Sequence, residues 1–107
     1  MQISVTARHM PLSEGLKEFG CAKIEREMNE FPRVENIHLV LNQEKYRHIA
    51  EIVVQAKNHV RVESKTESDD MYASIDKTVE KAAKQLRKLR DKIQDHRSNP
   101  DQSRQET

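Results

Sequence analysis

Tryptophan is absent from this chain of 107 residues, cysteine occurs once, and glycine, phenylalanine and tyrosine occur twice each. A lone Cys21 closes no disulfide within the chain and builds no structural zinc site, so a reducing compartment, the cytoplasm, is expected. Two glycines exclude a glycine-rich phosphate loop. Four aromatic rings are too few for base stacking to dominate a nucleic-acid contact. Long apolar runs are missing as well. Nothing approaches the roughly 18 residues of a membrane span, and Met1 to Met10 alternates polar with apolar residues, unlike a secretory leader. His9, His38, His48, His59 and His96 are scattered without metal-ligand spacing. Asp69-Asp70 is the one adjacent pair of aspartates, and a helix cap accounts for it. Neither an enzyme nor a bound cofactor or metal is expected.

What remains is charge and periodicity. Hydrophobic and charged residues each make up 35% of the chain, a balance that suits one compact domain with long solvated helix faces. Ile3, Val5 and Ala7 alternate with polar neighbours, the period of a half-buried strand. Ser13 then caps a helix with an apolar stripe of Leu16, Phe19, Ile24 and Phe31, weakened by Gly20 and ended by Phe31-Pro32. A second strand carries Ile37, Leu39 and Leu41. A turn follows over Asn42 to Tyr46, then a third strand in which Ala50, Ile52, Val54 and Ala56 face one way. Lys57-Asn58-His59 turns the chain into a fourth strand at Val60 and Val62. After the caps at Ser68-Asp69-Asp70, Tyr72, Ile75, Val79, Ala82, Ala83, Leu86 and Ile93 recur every three or four residues in a long amphipathic helix. The order β-α-β-β-β-α predicts an α+β fold. Three strands form an antiparallel meander, the first strand lies parallel to a neighbour, and two helices cover one face of a four-stranded sheet. A ferredoxin-like fold would need a further strand at the end. Residues 1–97 are expected to form the single domain and 98–107 a disordered tail.

The outer face of the last helix carries the clearest functional signal. Lys77, Lys81, Lys84, Lys88 and Lys92 fall within an arc of about 80° opposite the apolar stripe, in a row about 22 Å long. Between Lys77 and Arg97 eight basic residues face three acidic ones, while the whole chain is only +1, so the molecule is strongly polarised. Such a row can track a phosphate backbone by shape rather than by base readout. It can equally be a solvated face whose cations complement the helix dipole. Lys23 lies inside the apolar arc of the first helix, either snorkelling to the rim or edging the same surface. Arg8-His9, at the end of the first strand, either adds contacts or is plain surface.

Met1-Gln2-Ile3 with Arg8-His9, Leu39-Val40-Leu41, the Glu44-Lys45 turn, the segment Asp70 to Asp76 (DMYASID) and Lys81 to Lys92 (KAAKQLRKLRDK) together resemble the ribosome hibernation-promoting factor family. That family is also known as the ribosome-associated inhibitor or sigma-modulation family. The resemblance spans about residues 1–96. It implies a fold like that of double-stranded-RNA-binding domains with an added first strand. It also implies binding to rRNA in the decoding region of the small ribosomal subunit, blocking messenger and transfer RNA in stress or stationary phase. Carried over by position, the implied rRNA contacts are Lys23, Lys81, Lys84, Lys88, Arg90 and Lys92, with Arg8 in addition. Asp70, Met71, Tyr72 and Asp76 are implied to be structural: a cap, a core anchor and a polar shoulder. Glu27 departs from the family's apolar residue, so the first helix is expected to pack through Met28. Lys57-Asn58-His59 replaces a glycine-containing turn. The chain resembles the short members, which favour inactive ribosome dimers with a separate ribosome modulation factor, and it is expected to be a monomer off the ribosome. A general double-stranded-RNA binder and a protein-interaction module acting on a sigma factor remain as alternatives.

Overall fold

The structure, a computed structural model, describes residues 1–98. Its elements run β1 (Gln2–Arg8), α1 (Glu14–Met28), β2 (Val34–Glu44), β3 (Arg47–Ala56), β4 (Val60–Ser68) and α2 (Met71–Ser98). The strands form one sheet in the order β1-β2-β3-β4, with β1 parallel to β2 and the other pairs antiparallel. This is the β-α-β-β-β-α architecture that the periodicity predicts. The helix between β1 and β2 permits their parallel pairing, and the two tight turns set the antiparallel meander. Helix α2 reaches one residue past the expected domain end at 97, and the rest of the expected tail lies outside the described residues.

Alternation divides the sheet into two faces. Ile37, Leu39, Leu41, Ala50, Ile52, Val54 and Val62 point inward and are buried against Ile24 and Met28 of α1 and Met71, Ile75, Val79, Ala82, Ala83 and Leu86 of α2. A fully buried leucine or isoleucine contributes about 1.5–3 kcal/mol, so this layer holds the fold together. The inward alternation of β4 continues through Ser64 and Thr66, both buried. Ser64 is met by a hydrogen bond, while Thr66 Oγ1 is buried without a partner among the described residues. Thr78 Oγ1 donates to Ser64 Oγ at 2.8 Å, and Ser74 Oγ donates to the His48 carbonyl at 2.7 Å.

Helix α1 starts as expected, with Ser13 Oγ accepting from the Leu16 amide at 3.1 Å. It ends at Met28, earlier than the proline requires, and the Phe31 amide then bonds the Met28 carbonyl. Its buried side is Gly20, Lys23, Ile24 and Met28, while Leu16 and Phe19 are only half-buried. Gly20 is there for proximity: a Cβ at that position would stand 2.9 Å from Leu39 Cδ2. The turn between β2 and β3 is shorter than expected, just Lys45 and Tyr46, with Lys45 at φ 60°. Asn58 and His59 are both left-handed, at φ 66° and 63°, which lets this turn do without glycine.

Candidate nucleic-acid interface

The caps of α2 come from the segment singled out in the sequence. Asp70 Oδ1 accepts from the Tyr72 amide at 3.3 Å, and Ser68 Oγ bonds both the amide and the carbonyl of Asp70. Met71 is a core residue, 4% exposed. Tyr72 is not. It is 44% exposed and packs edge-on against Phe19, ring centroids 4.9 Å apart, so it fastens α1 to α2 from outside. Position explains the difference, because Tyr72 projects about 100° around the helix from Met71 and so clears the sheet.

From this fixed start the helix presents Lys77, Lys81, Lys84, Lys88 and Lys92, all exposed, on the side away from the sheet. Lys81 Nζ donates to the Lys65 carbonyl at 3.1 Å, which leans it toward β4. Among the described residues, none of the five lysines forms an ion pair. Elsewhere cations are engaged: Arg61 meets Glu63 at 2.8 Å and Arg47 meets Glu67, both on the open face of the sheet.

The seam between α1 and α2 is also engaged. Lys23 is 7% exposed, and its ammonium lies 2.7 Å from Glu80, 3.4 Å from Asp76 and 3.7 Å from Glu27. Burial pulls the Lys23 pKa down, but the Glu80 hydrogen bond and the charges of Asp76, Glu80 and Glu27 outweigh it and raise the pKa above its ordinary value. Glu80 is correspondingly lowered, first by the hydrogen bond from Lys23, then by its charge, and also by the nearby charge of Lys77. Nearly three helical turns further along α2, Arg90 Nη1 donates to Glu30 at 2.9 Å and the guanidinium lies 5.3 Å from the centre of the Phe31 ring. Arg87 donates to the other Glu30 oxygen at 3.3 Å. Glu30 is lowered chiefly by the Arg90 hydrogen bond.

The residues expected to touch rRNA therefore separate. Lys81, Lys84, Lys88 and Lys92 share one exposed face. Lys23 extends its ammonium into the seam between the helices, where Glu27, Asp76 and Glu80 hold it. Arg90 is bound to Glu30, and Arg87 with it. Asp76, expected as a polar shoulder, is one of the carboxylates on Lys23. Arg8 alternates with the inward Ala7 and pairs in register with Asn42, which puts it on the open face, opposite the helices. That face also holds a contact the sequence did not suggest: Ser4 Oγ and Thr6 Oγ1 flank the His38 ring nitrogens at 2.5 and 3.3 Å. The β1–β2 register that aligns Ser4 with His38 brings them together. Among the described residues, no cluster of three histidines, cysteines or acids is arranged to hold a metal, and no helix is long and apolar enough to cross a membrane.

Known proteins resemble this chain in sequence and fold. Residues 3–94 match the profile of the sigma 54 modulation protein / S30EA ribosomal protein family. The chain belongs to this family. It is 33% identical over 96 residues to the ribosome hibernation promoting factor of Escherichia coli K12, covering 90% of this chain and all of that protein. The factor of the same name from Pseudomonas putida is 28% identical over 94 residues, covering 88% and 91% of the two chains. A ribosomal subunit interface protein from Coxiella burnetii superposes with a TM-score of 0.78 at 28% identity, over 84% of this chain and 98% of that one. The N-terminal domain of Protein Y from Thermus thermophilus shares the fold at a TM-score of 0.75 and 23% identity, over 83% of this chain and 99% of that one. Within this family the capped helix with its row of lysines is the feature that calls for a function.

Proposed function

We propose that this chain is a ribosome hibernation factor that binds rRNA in the decoding region of the small ribosomal subunit and holds it idle. The observation that carries the reading is the row of exposed lysines on α2, without ion pairs among the described residues, in a chain that spans the whole E. coli hibernation promoting factor. Lys81, Lys84, Lys88 and Lys92 are the proposed phosphate contacts, with Lys77 extending the row. Arg8 would meet RNA only from the opposite side of the sheet. Binding releases counterions from the phosphates, so affinity falls steeply with salt. A domain seated in the decoding region excludes messenger and transfer RNA by occupying their space, and no catalytic step is needed. The factor would act in the cytoplasm, under stress or in stationary phase, and would favour ribosome dimers together with a separate modulation factor.

The test is co-sedimentation of the protein with isolated small subunits at two salt concentrations, with excess plain RNA duplex as competitor. Stoichiometric pelleting that survives the duplex and weakens with salt is the expected result. Pelleting abolished by the duplex would reduce the chain to a general binder of double-stranded RNA. Absence of pelleting at low salt would sink the ribosome reading and favour a protein partner, such as the sigma factor of the family's description. Adding the chain to whole ribosomes, with and without a modulation factor, and following their sedimentation tests the dimer claim.

A further inference from the structure

Glu27, Asp76 and Glu80 surround one ammonium, and their exposures differ from its own in a telling way. The side chains of Asp76 and Glu80 are 47% and 57% exposed, while that of Lys23 is 8% exposed. An approaching phosphate therefore meets the carboxylates, not the lysine that partly offsets them. Glu80 lies one helical turn from both Lys77 and Lys84, at the spacing that makes side chains neighbours on a helix surface. The carboxylates thus sit at the border of the lysine row, within the roughly 8–10 Å over which charges act at ordinary salt.

We infer that Lys23 is a positioning residue for RNA binding, which offsets part of the charge of the carboxylates bordering the lysine row and ties α1 to α2 without touching RNA itself. The inference rests on the proposed binding through that row. Its physical content is a local charge balance. With Lys23 in place, Glu80 and Asp76 are held by hydrogen bond and charge against the seam. Without it, Glu27, Asp76 and Glu80 repel one another and present uncompensated negative charge where phosphate must lie. A direct contact would require the ammonium to leave three carboxylates and a buried position to reach the same phosphate. Glu27 carries the same logic from α1. It is shared between Lys23 and, at 3.8 Å, Arg87, so the cations of the seam hold the acids of both helices.

A double-mutant cycle separates the two roles. Affinity for isolated small subunits is measured for wild type, K23M, E80Q and K23M/E80Q, with the denaturation midpoint and the salt dependence of each. K23M is expected to bind about five- to tenfold more weakly, the scale of one screened unit charge at this distance. E80Q, which removes one bordering negative charge, is expected to bind more tightly by a similar factor, and K23M/E80Q returns to within about threefold of wild type, because the neutral pair removes a lysine and an acid together. The salt slope of K23M stays at the wild-type value, since no phosphate contact is lost. K23M/E80Q as weak as K23M, with a slope shallower by about one, would overturn the inference in favour of direct contact. K23M binding as tightly as wild type would overturn it as well. Should K23M fail to fold, E80Q and K23M/E80Q decide together: tighter binding by E80Q with K23M/E80Q near wild type upholds the inference, and E80Q at wild-type affinity or a tenfold loss in the double variant defeats it. Wild-type protein that ignores the subunits defeats the proposed function first, and this inference with it.

Discussion

Two flanks of α2 carry cations of the same kind under opposite conditions. On the flank facing α1, Arg87 and Arg90 meet Glu30, and Lys23 reaches across from α1 to Asp76 and Glu80. On the outer flank Lys77, Lys84, Lys88 and Lys92 have no ion-pair partner among the described residues. Charge alone does not distinguish a ligand-binding lysine from a structural one. The presence of a carboxylate within about 4 Å does, because a paired cation must break that contact before it makes another.

The comparison breaks most visibly under charge reversal. K84E/K88E/K92E should lower affinity for small subunits by at least about 100-fold while leaving the denaturation midpoint nearly unchanged, since exposed charges contribute little to stability. A large loss of stability with binding preserved would reverse the roles assigned to the two flanks. Next in size is the salt response. The logarithm of wild-type affinity should fall against the logarithm of salt with a slope of about −3 to −4, as four phosphate contacts require, and K88M should remove about one from its magnitude. The seam should behave the other way. R90A is expected to lower the urea midpoint, through the lost Glu30 pair and the lost contact with Phe31, while subunit affinity stays within about threefold.

The smallest effect is the titration of the seam, and its sign differs at the two ends of the pH scale. Glu30 and Glu80 titrate below the ordinary 4.5 when folded, so their stabilisation is complete above that value and is lost as pH falls through the depressed pKa values. Lys23 titrates above the ordinary 10.5, so its share is complete below that value and is lost as pH rises through the raised pKa. The destabilisation caused by E80Q, measured by urea denaturation, should therefore be full at neutral pH and shrink toward nothing as pH falls through the depressed pKa of Glu80. A difference that persists in acid would show that Glu80 acts through packing instead.

The outer flank was legible in the sequence and the seam was not, for a reason of distance along the chain. A helix repeats every 3.6 residues, so the spacing of Lys77, Lys81, Lys84, Lys88 and Lys92 already states that they share a face. The partners of Lys23 on α2 lie more than fifty positions away, and only the packing of two helices on one sheet brings them together. Arg90 looked like part of the basic run because Glu30 stands in the turn after α1, 60 positions earlier. The strands divide similarly. Apolar alternation announced β2 and β3, but the inward face of β4 switches from valine to Ser64 and Thr66, past the alternation at Val60 and Val62 that marked the strand. The expectation that α1 packs through Met28 was sound, since Glu27 beside it is only half-buried while Met28 is 1% exposed.

Those hydroxyls bear on where the lysines stand. Methyl groups packed on methyl groups tolerate sliding, whereas a hydrogen bond has one length and one direction. Thr78 on Ser64 and Ser74 on the His48 carbonyl act as two latches that fix how far α2 is advanced along β3 and β4. A slip of one turn would carry every lysine about 5.4 Å along the sheet, enough to move it off the phosphate it faces. The polar stretch of β4 thus serves as a ruler: the helix lies on the sheet at a set mark, and the row of charges it displays keeps a set address.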